Sequence, residues 1–209
     1  MAPLSIDGKV VLVTGANRGI GKAIVEGFLA AGAQKIYSGV RRIETAPSGT
    51  VPLCMDLTEE DTVEQASKDA PDVQIVVNSA GILDFAHPLV ESAVSITKRQ
   101  METNLYGLMH VARYFVPIID RKHGGAFIQI NSTSSLRCPR NTFGGYAASK
   151  AAAYMFVQSL RSSLDQESSH IRVLSVHPGP IATDMVAQFG ATGEPASQVR
   201  ELGCSQEIS

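Results

Sequence analysis

Tyr146 and Lys150 stand four residues apart in a helical pattern, so their side chains share one helix face. A phenol with a pKa of about 10 is a poor base at neutral pH. A neighbouring ammonium favours the phenolate and would lower that value by about 1–3 units, giving a group able to exchange a proton with an alcohol or carbonyl oxygen. Taken alone, the pair reads more readily as part of a solvated helix face. A second chemical feature is the turn Gly15-Ala16-Asn17-Arg18-Gly19-Ile20-Gly21, which follows the apolar run Val10–Thr14 and opens a helical pattern. Glycines there let a pyrophosphate approach bare main-chain N–H groups and the positive end of the helix dipole. It is not a magnesium-nucleotide loop. Lys22 follows Gly21, but Ala23 stands where Ser or Thr would hold the ion, and the glycine spacing is wrong. His87 and His177 are far apart with no third ligand in view, so packing in a loop or at a strand end is the better reading. The cysteines Cys54, Cys138 and Cys204 have neither metal-ligand spacing nor a disulfide framework, as in a reduced cytosolic protein, and no metal is expected.

The elements that must position these residues alternate. Short apolar runs fall at 10–14, 35–38, 51–54, 73–78, 126–131 and 171–177, and they read as strands covered on both faces. Helical patterns lie between most of them, at 20–31, 59–70, 101–122 and 146–167, with Pro117 expected to bend or end the third. Strand–helix alternation implies right-handed βαβ units and a parallel sheet, hence a three-layer, doubly wound α/β domain. The 209 residues, 44% hydrophobic and 18% charged, suit one globular domain. Eighteen basic against twenty acidic residues give a net charge of −2, with no surplus for nucleic acid or an acidic membrane. No apolar stretch reaches the roughly 20 residues of a membrane span, and the first residues lack a signal-peptide core. Residues 190–209, with few large aliphatics, read as a loosely structured tail.

The glycine turn, read from Thr14 to Gly21, resembles the T-G-x-x-x-G-x-G signature of the short-chain dehydrogenase/reductase family. Further motifs follow in the family's order. Asn78-Ser79-Ala80-Gly81 is similar to N-N-A-G, with Ser79 replacing an Asn. Asn104 lies in a stretch like V-N-L-x-G. Tyr146–Lys150 matches Y-x-A-S-K, and Pro178–Thr183 matches P-G-x-I-x-T. The resemblance covers residues 8–185 and implies a Rossmann fold, one NAD(P)-binding domain over residues 1–209, and reversible hydride transfer between a nicotinamide and a carbonyl or alcohol. It implies Tyr146 as acid and base, and Lys150 as its partner and a ligand of the nicotinamide ribose. Ser132, at the end of the strand before the Tyr146 helix, would hold the substrate oxygen, with Ser134 as the fallback. Asn104 would anchor a water connecting Lys150 to solvent.

The resemblance also assigns the cofactor's surroundings. Gly15, Asn17, Arg18, Gly19, Ile20 and Gly21 form the turn. Asn78, Ala80 and Gly81 lie beside the adenosine ribose, Asp56 and Leu57 beside the adenine, and Pro178, Gly179, Ile181 and Thr183 beside the nicotinamide and pyrophosphate. The end of the second strand decides between cofactors, because an acidic residue there binds a ribose hydroxyl and repels a phosphate. No Asp or Glu occurs there before Glu44; Ser38 or Gly39 takes the discriminating place and Arg41 follows. Arg18 and Arg41 are expected to clamp a 2′-phosphate, so NADP(H) is preferred over NAD(H). Leu83, Phe85, Leu136, Phe143, Met185, Val186 and Phe189 would line a mostly apolar cavity, suiting a small apolar carbonyl or secondary alcohol, with Ser132, Leu83, Phe143 and Met185 touching it.

No seventh-strand pattern follows Ile181, so a shortened C-terminus, an uncovered edge on the sixth strand and an open pocket are expected. The helices containing Asn104 and Tyr146 are apolar nearly all round, which implies burial on more than one side. In the family these two helices pair across a two-fold axis. A homodimer through them, and no tetramer, is expected. Two other readings remain: an NADP(H)-binding sensor or scaffold without turnover, and an epimerase or dehydratase on the same scaffold.

Overall fold

The run Val10–Thr14 forms strand β1 and is buried at every position, as a strand covered on both faces must be. It lies inside a six-stranded parallel sheet of order β3-β2-β1-β4-β5-β6 in the computed structural model, which describes residues 5–121, 124–137, 143–179 and 181. The other strands are β2 (Lys35–Val40), β3 (Val51–Cys54), β4 (Ile75–Asn78), β5 (Gly125–Ile130) and β6 (Ile171–Val176). Successive strand residues point to opposite faces, and each face has its own helices. Leu12, Tyr37, Val76, Phe127 and Val173 pack under α2 (Glu60–Asp69), α4 (Gly107–Arg121) and α5 (Gly144–Gln166). Val11, Val13, Ile36, Ile75 and Val77 face α1 (Gly19–Ala30) through Val25, Ile24 and Phe28. This is the doubly wound α/β architecture expected from the alternation.

Three local differences have physical causes. Strand β2 runs to Val40, two residues beyond its expected end, because Val40 still pairs with Cys54 of β3. Helix α3 (Ala93–Met101) was not foreseen. Its one buried residue is the polar Gln100, while Val94 is 67% exposed, so it carries no apolar stripe to read. It continues through a single π-helical turn, Glu102–Tyr106, into α4. Third, Pro117 does not end α4, which runs on to Arg121. A proline inside a helix costs about 3 kcal/mol, but Phe115, Val116, Ile118 and Ile119 around it are all buried, and their packing keeps the last turn. Pro52 is tolerated in β3 because that strand is an edge.

Residues 182–209, which include the expected tail, lie outside the described residues. Among the described residues, no helix is long and apolar enough to cross a membrane.

Candidate active site

Strand β1 pairs with β2 on one side and β4 on the other, so the chain reverses its winding between β1 and β4. In open parallel sheets the crevice beyond the carboxyl ends of the strands at such a point is where ligands bind. The loops leaving β1 and β4 touch there. Gly15 has φ +64°, and a Cβ on it would lie 2.8 Å from the Ala80 Cα. Only glycine allows both that conformation and that approach.

A buried chain of polar groups runs under this crevice. The Thr14 hydroxyl donates to Asn78 Oδ1 at 2.6 Å and accepts the N–H groups of Ser79 and Ala80, each at 3.1 Å. Asn78 Nδ2 donates to Gln129 Oε1 at 2.7 Å, and Gln129 Nε2 donates to the Ile130 carbonyl at 2.8 Å. That carbonyl also accepts Lys150 Nζ at 3.1 Å. Asn78 is therefore spent inside the sheet, 1% exposed, where its side chain fixes the loop after β4. Nothing in the sequence marks Gln129, whose amide completes the chain.

Lys150 is buried at the end of this chain, and burial pushes its pKa down to about 8. Its Nζ is 5.9 Å from the centre of the Tyr146 ring. Burial raises the Tyr146 pKa above its ordinary value of 10.0, and a hydrogen bond with the Ser132 side chain only partly opposes the rise. Against the expected stabilisation of the phenolate, desolvation of Tyr146 outweighs the Ser132 hydrogen bond. The hydroxyl it meets is that of Ser132, not Ser134; Ser132 Oγ also accepts the Ser134 N–H at 3.1 Å.

Asn104 sits in the π-helical turn, a deformation common at functional residues, and is 1% exposed. Its Oδ1 accepts the Ile82 N–H at 2.9 Å, and its Nδ2 donates to the Ile82 carbonyl at 3.0 Å and to Ser149 Oγ at 2.9 Å. Ser149 in turn donates to the Tyr146 carbonyl at 2.8 Å. Asn104 therefore ties the loop after β4 to α5, through Ser149. At Gly81 between them, a Cβ would lie 3.1 Å from Asn104 Oδ1 and 3.4 Å from Lys150 Nζ.

Other residues could hold a dinucleotide. No side chain caps the N-terminus of α1, where Asn17, Arg18 and Gly19 are exposed, Ile20 is half-buried and Gly21 packs on the Gly15 carbonyl. The last residue of β2 is Val40, so Ser38 and Gly39 are not at the discriminating place. Ser38 is 0% exposed, and a Cβ on Gly39 would lie 2.8 Å from Met55 Sδ. Arg41 follows directly and is exposed. Among the described residues no hydrogen bond or ion pair engages the side chains of Arg41 and Arg18, whereas Arg42 pairs with Glu44 at 3.6 Å. Two exposed guanidiniums and a helix N-terminus, with no carboxylate between the end of β2 and Glu44, suit a phosphate-bearing dinucleotide.

Farther along, Asp56 Oδ1 accepts the N–H and hydroxyl of Thr58 at 3.1 and 2.8 Å, and the buried Leu57 has its carbonyl 3.1 Å from His110 Nδ1. Beyond β6, Pro178 accepts the Thr133 N–H at 3.0 Å, while Gly179 and Ile181 are exposed. Phe85 meets Phe143 edge-to-face at 5.1 Å, Leu83 is buried and Leu136 is exposed. Thr183, Met185, Val186 and Phe189 lie outside the described residues. His87 is exposed and accepts the Leu89 N–H at 3.3 Å; among the described residues no three His, Cys, Asp or Glu side chains gather as for a metal.

A family model described as short chain dehydrogenase matches residues 9–193. The L-fucose dehydrogenase of Mus musculus is 31% identical, over 96% of this chain and 76% of that protein. The NADP-dependent 3-hydroxy acid dehydrogenase of Schizosaccharomyces pombe is 24% identical, over 93% and 80%. A short chain dehydrogenase from Burkholderia cenocepacia, solved in complex with NADP, superposes with a TM-score of 0.83 at 34% identity, covering 88% of this chain and 78% of that one.

Proposed function

This chain belongs to the short-chain dehydrogenase/reductase family and is an oxidoreductase acting on CH–OH or C=O groups. On that premise we propose that it works with NADP(H) on a small apolar carbonyl compound or secondary alcohol, with Tyr146 as acid and base. The observation that carries this is the pairing of Tyr146 with Ser132 above the buried Lys150. Bound beside them, the nicotinamide supplies or accepts the hydride. Tyr146 gives its phenolic proton to the substrate oxygen in reduction and takes one from the alcohol in oxidation. Ser132 donates a hydrogen bond to the same oxygen as charge develops on it. Lys150 holds the base of the site and the nicotinamide ribose, and Asn104 keeps the loop at Ile82 against the catalytic helix.

Arg18 and Arg41 would take the 2′-phosphate, the main-chain groups of Arg18–Gly21 the pyrophosphate, and Asp56 and Leu57 the adenine. Ala80 and Gly81 would line the ribose, and Pro178, Gly179, Ile181 and Thr183 the nicotinamide. The Burkholderia cenocepacia relative in complex with NADP supports this choice over NAD(H). Phe85 and Phe143, packed on each other, support an apolar substrate wall.

The chain would act as a homodimer. Ala148, Ala151 and Met155 form an exposed small and apolar stripe on α5, and Tyr106 and Met109 add to it from the neighbouring helical run. The test of function is NADPH oxidation against apolar ketones and aldehydes, and NADP reduction with secondary alcohols and L-fucose, with Tyr146→Phe as the control. Turnover lost in that variant supports the assignment. Turnover near the native rate refutes Tyr146 as the acid, and tight NADPH binding without turnover on any compound indicates a sensor.

A further inference from the structure

His177 follows β6 and lies directly behind Ser132, and its ring is engaged on every side. Nδ1 is 2.7 Å from Ser135 Oγ and 3.1 Å from the Ser132 carbonyl oxygen. A carbonyl oxygen only accepts, so Nδ1 carries a hydrogen. Ser135 gives its own proton to the same Ser132 carbonyl, which leaves its oxygen to accept from Nδ1. At the other edge of the ring, Nε2 is 2.9 Å from Ser175 Oγ. Ser175 accepts from Asn131 Nδ2 at 2.8 Å and so has its proton free for Nε2. The neutral ring satisfies all these partners in one tautomer, with hydrogen on Nδ1.

The surrounding main chain adds to this. Asn131 N–H donates to the Val176 carbonyl at 2.7 Å, and Thr133 N–H donates to the Pro178 carbonyl at 3.0 Å. The residues on either side of Ser132 are thereby bonded to those on either side of His177. Tyr154 of α5 packs edge-on against the imidazole, with ring centres 4.8 Å apart and planes at 85°. The ring thus joins the ends of β5 and β6 to the helix that carries Tyr146.

We propose that His177 is a positioning residue for the reaction: through its Nδ1–H it holds the Ser132 carbonyl and Ser135, and so sets where the Ser132 hydroxyl meets Tyr146 and the substrate oxygen. This rests on the assignment of Ser132 and Tyr146 made above. Side chains that reach reacting groups through a second residue matter because displacing such a group by about 1 Å costs on the order of 100-fold in rate.

Two measurements test it. Long-range nitrogen–proton correlation on the free protein with isotope-labelled histidine, assigned by the signal lost in His177→Asn, reads the tautomer. Hydrogen on Nδ1 is expected, and hydrogen on Nε2 overturns the proposal. The second is kinetic. His177→Phe keeps a ring against Tyr154 but removes both nitrogens, and it should lower kcat about 10- to 100-fold while leaving NADPH affinity unchanged. His177→Asn restores an N–H near the Nδ1 position and should recover most of the loss. In a Ser132→Ala background, His177→Phe should cause no further loss. An equal loss in both backgrounds, or no recovery with Asn, means that His177 acts independently of the serine and defeats the proposal. If Ser132→Ala lowers kcat and His177→Phe does not, only the histidine role fails. If Ser132→Ala itself has no effect, the serine assignment fails and takes this inference with it.

Discussion

Lys150 carries its charge where charge is disfavoured. Its pKa in the folded protein is about 8, against an ordinary 10.5, so between those values the unfolded chain holds the extra proton. Stability therefore rises with pH through that window; the full cost of burial is felt below it and none above it. Chemical unfolding from about pH 8 to 10 should show this rise, and Lys150→Met should abolish it. At neutral pH the same variant should be inactive yet more stable, by about 1–4 kcal/mol, as when buried ions give way to apolar groups. Tyr146 gives the complementary signature. Its pKa is raised, so the phenolate needed for alcohol oxidation is scarce at neutral pH. At limiting substrate the oxidation rate should climb roughly tenfold per pH unit between about pH 7 and 9; a flat profile would remove Tyr146 as the base. Arg41 reports on the cofactor. Arg41→Ala should weaken NADPH binding about 10- to 100-fold, the worth of one charge-assisted hydrogen bond, and leave NADH unchanged in a fluorescence titration. Equal losses for both would place Arg41 away from the phosphate.

At the scale of elements, one polar chain joins three strands, and Asn78 is its middle link. Asn78→Ala leaves the Thr14 O–H without its acceptor and Gln129 Oε1 without its donor. It should cost roughly 2–6 kcal/mol, at about 1–3 per buried group, with a lower unfolding midpoint in urea; a change within error would mean that the two groups find other partners. How legible such features are depends on what betrays them. The sheet could be read because its strands are continuously apolar, and the turn 15–21 because its chemistry needs glycines at fixed places. Tyr146 and Lys150 stand out through the resemblance of 146–150 to a family motif, since their spacing alone also suits a solvated helix face. Gln129 and Ser149 were not, because a polar residue in a strand or helix carries no sign of which way it faces. Helix α3 is hidden for the converse reason, since it buries a glutamine and exposes a valine. The end of β2 was misplaced because pairing with β3, not composition, sets it. The direction of the Tyr146 shift is not legible, because sequence shows a neighbouring ammonium but not the desolvation of both groups.

For the whole molecule, pairing of two copies is tested through the exposed stripe at Ala148, Ala151 and Met155. Sedimentation equilibrium at micromolar concentration should give twice the mass of one chain, and Ala151→Glu should return it to one. An unchanged mass in that variant would mean that the contact lies elsewhere. The seam between β1 and β4 has a consequence of a different kind. Thr14 and Asn78 meet there although 64 residues separate them in the chain, and Asn78 and Gln129 meet across another 51. Bringing such distant segments together costs loop entropy before any contact repays it, so a sheet wound this way folds at the pace of its long closures. The dinucleotide crevice lies along that same seam. A ligand held by the turn after β1 on one side and the loop after β4 on the other binds only a chain in which the closure is complete. Such a ligand at a hundred times its dissociation constant adds about 2.7 kcal/mol to the folded state. The supply of cofactor would then govern how long the protein survives as well as how fast it turns over.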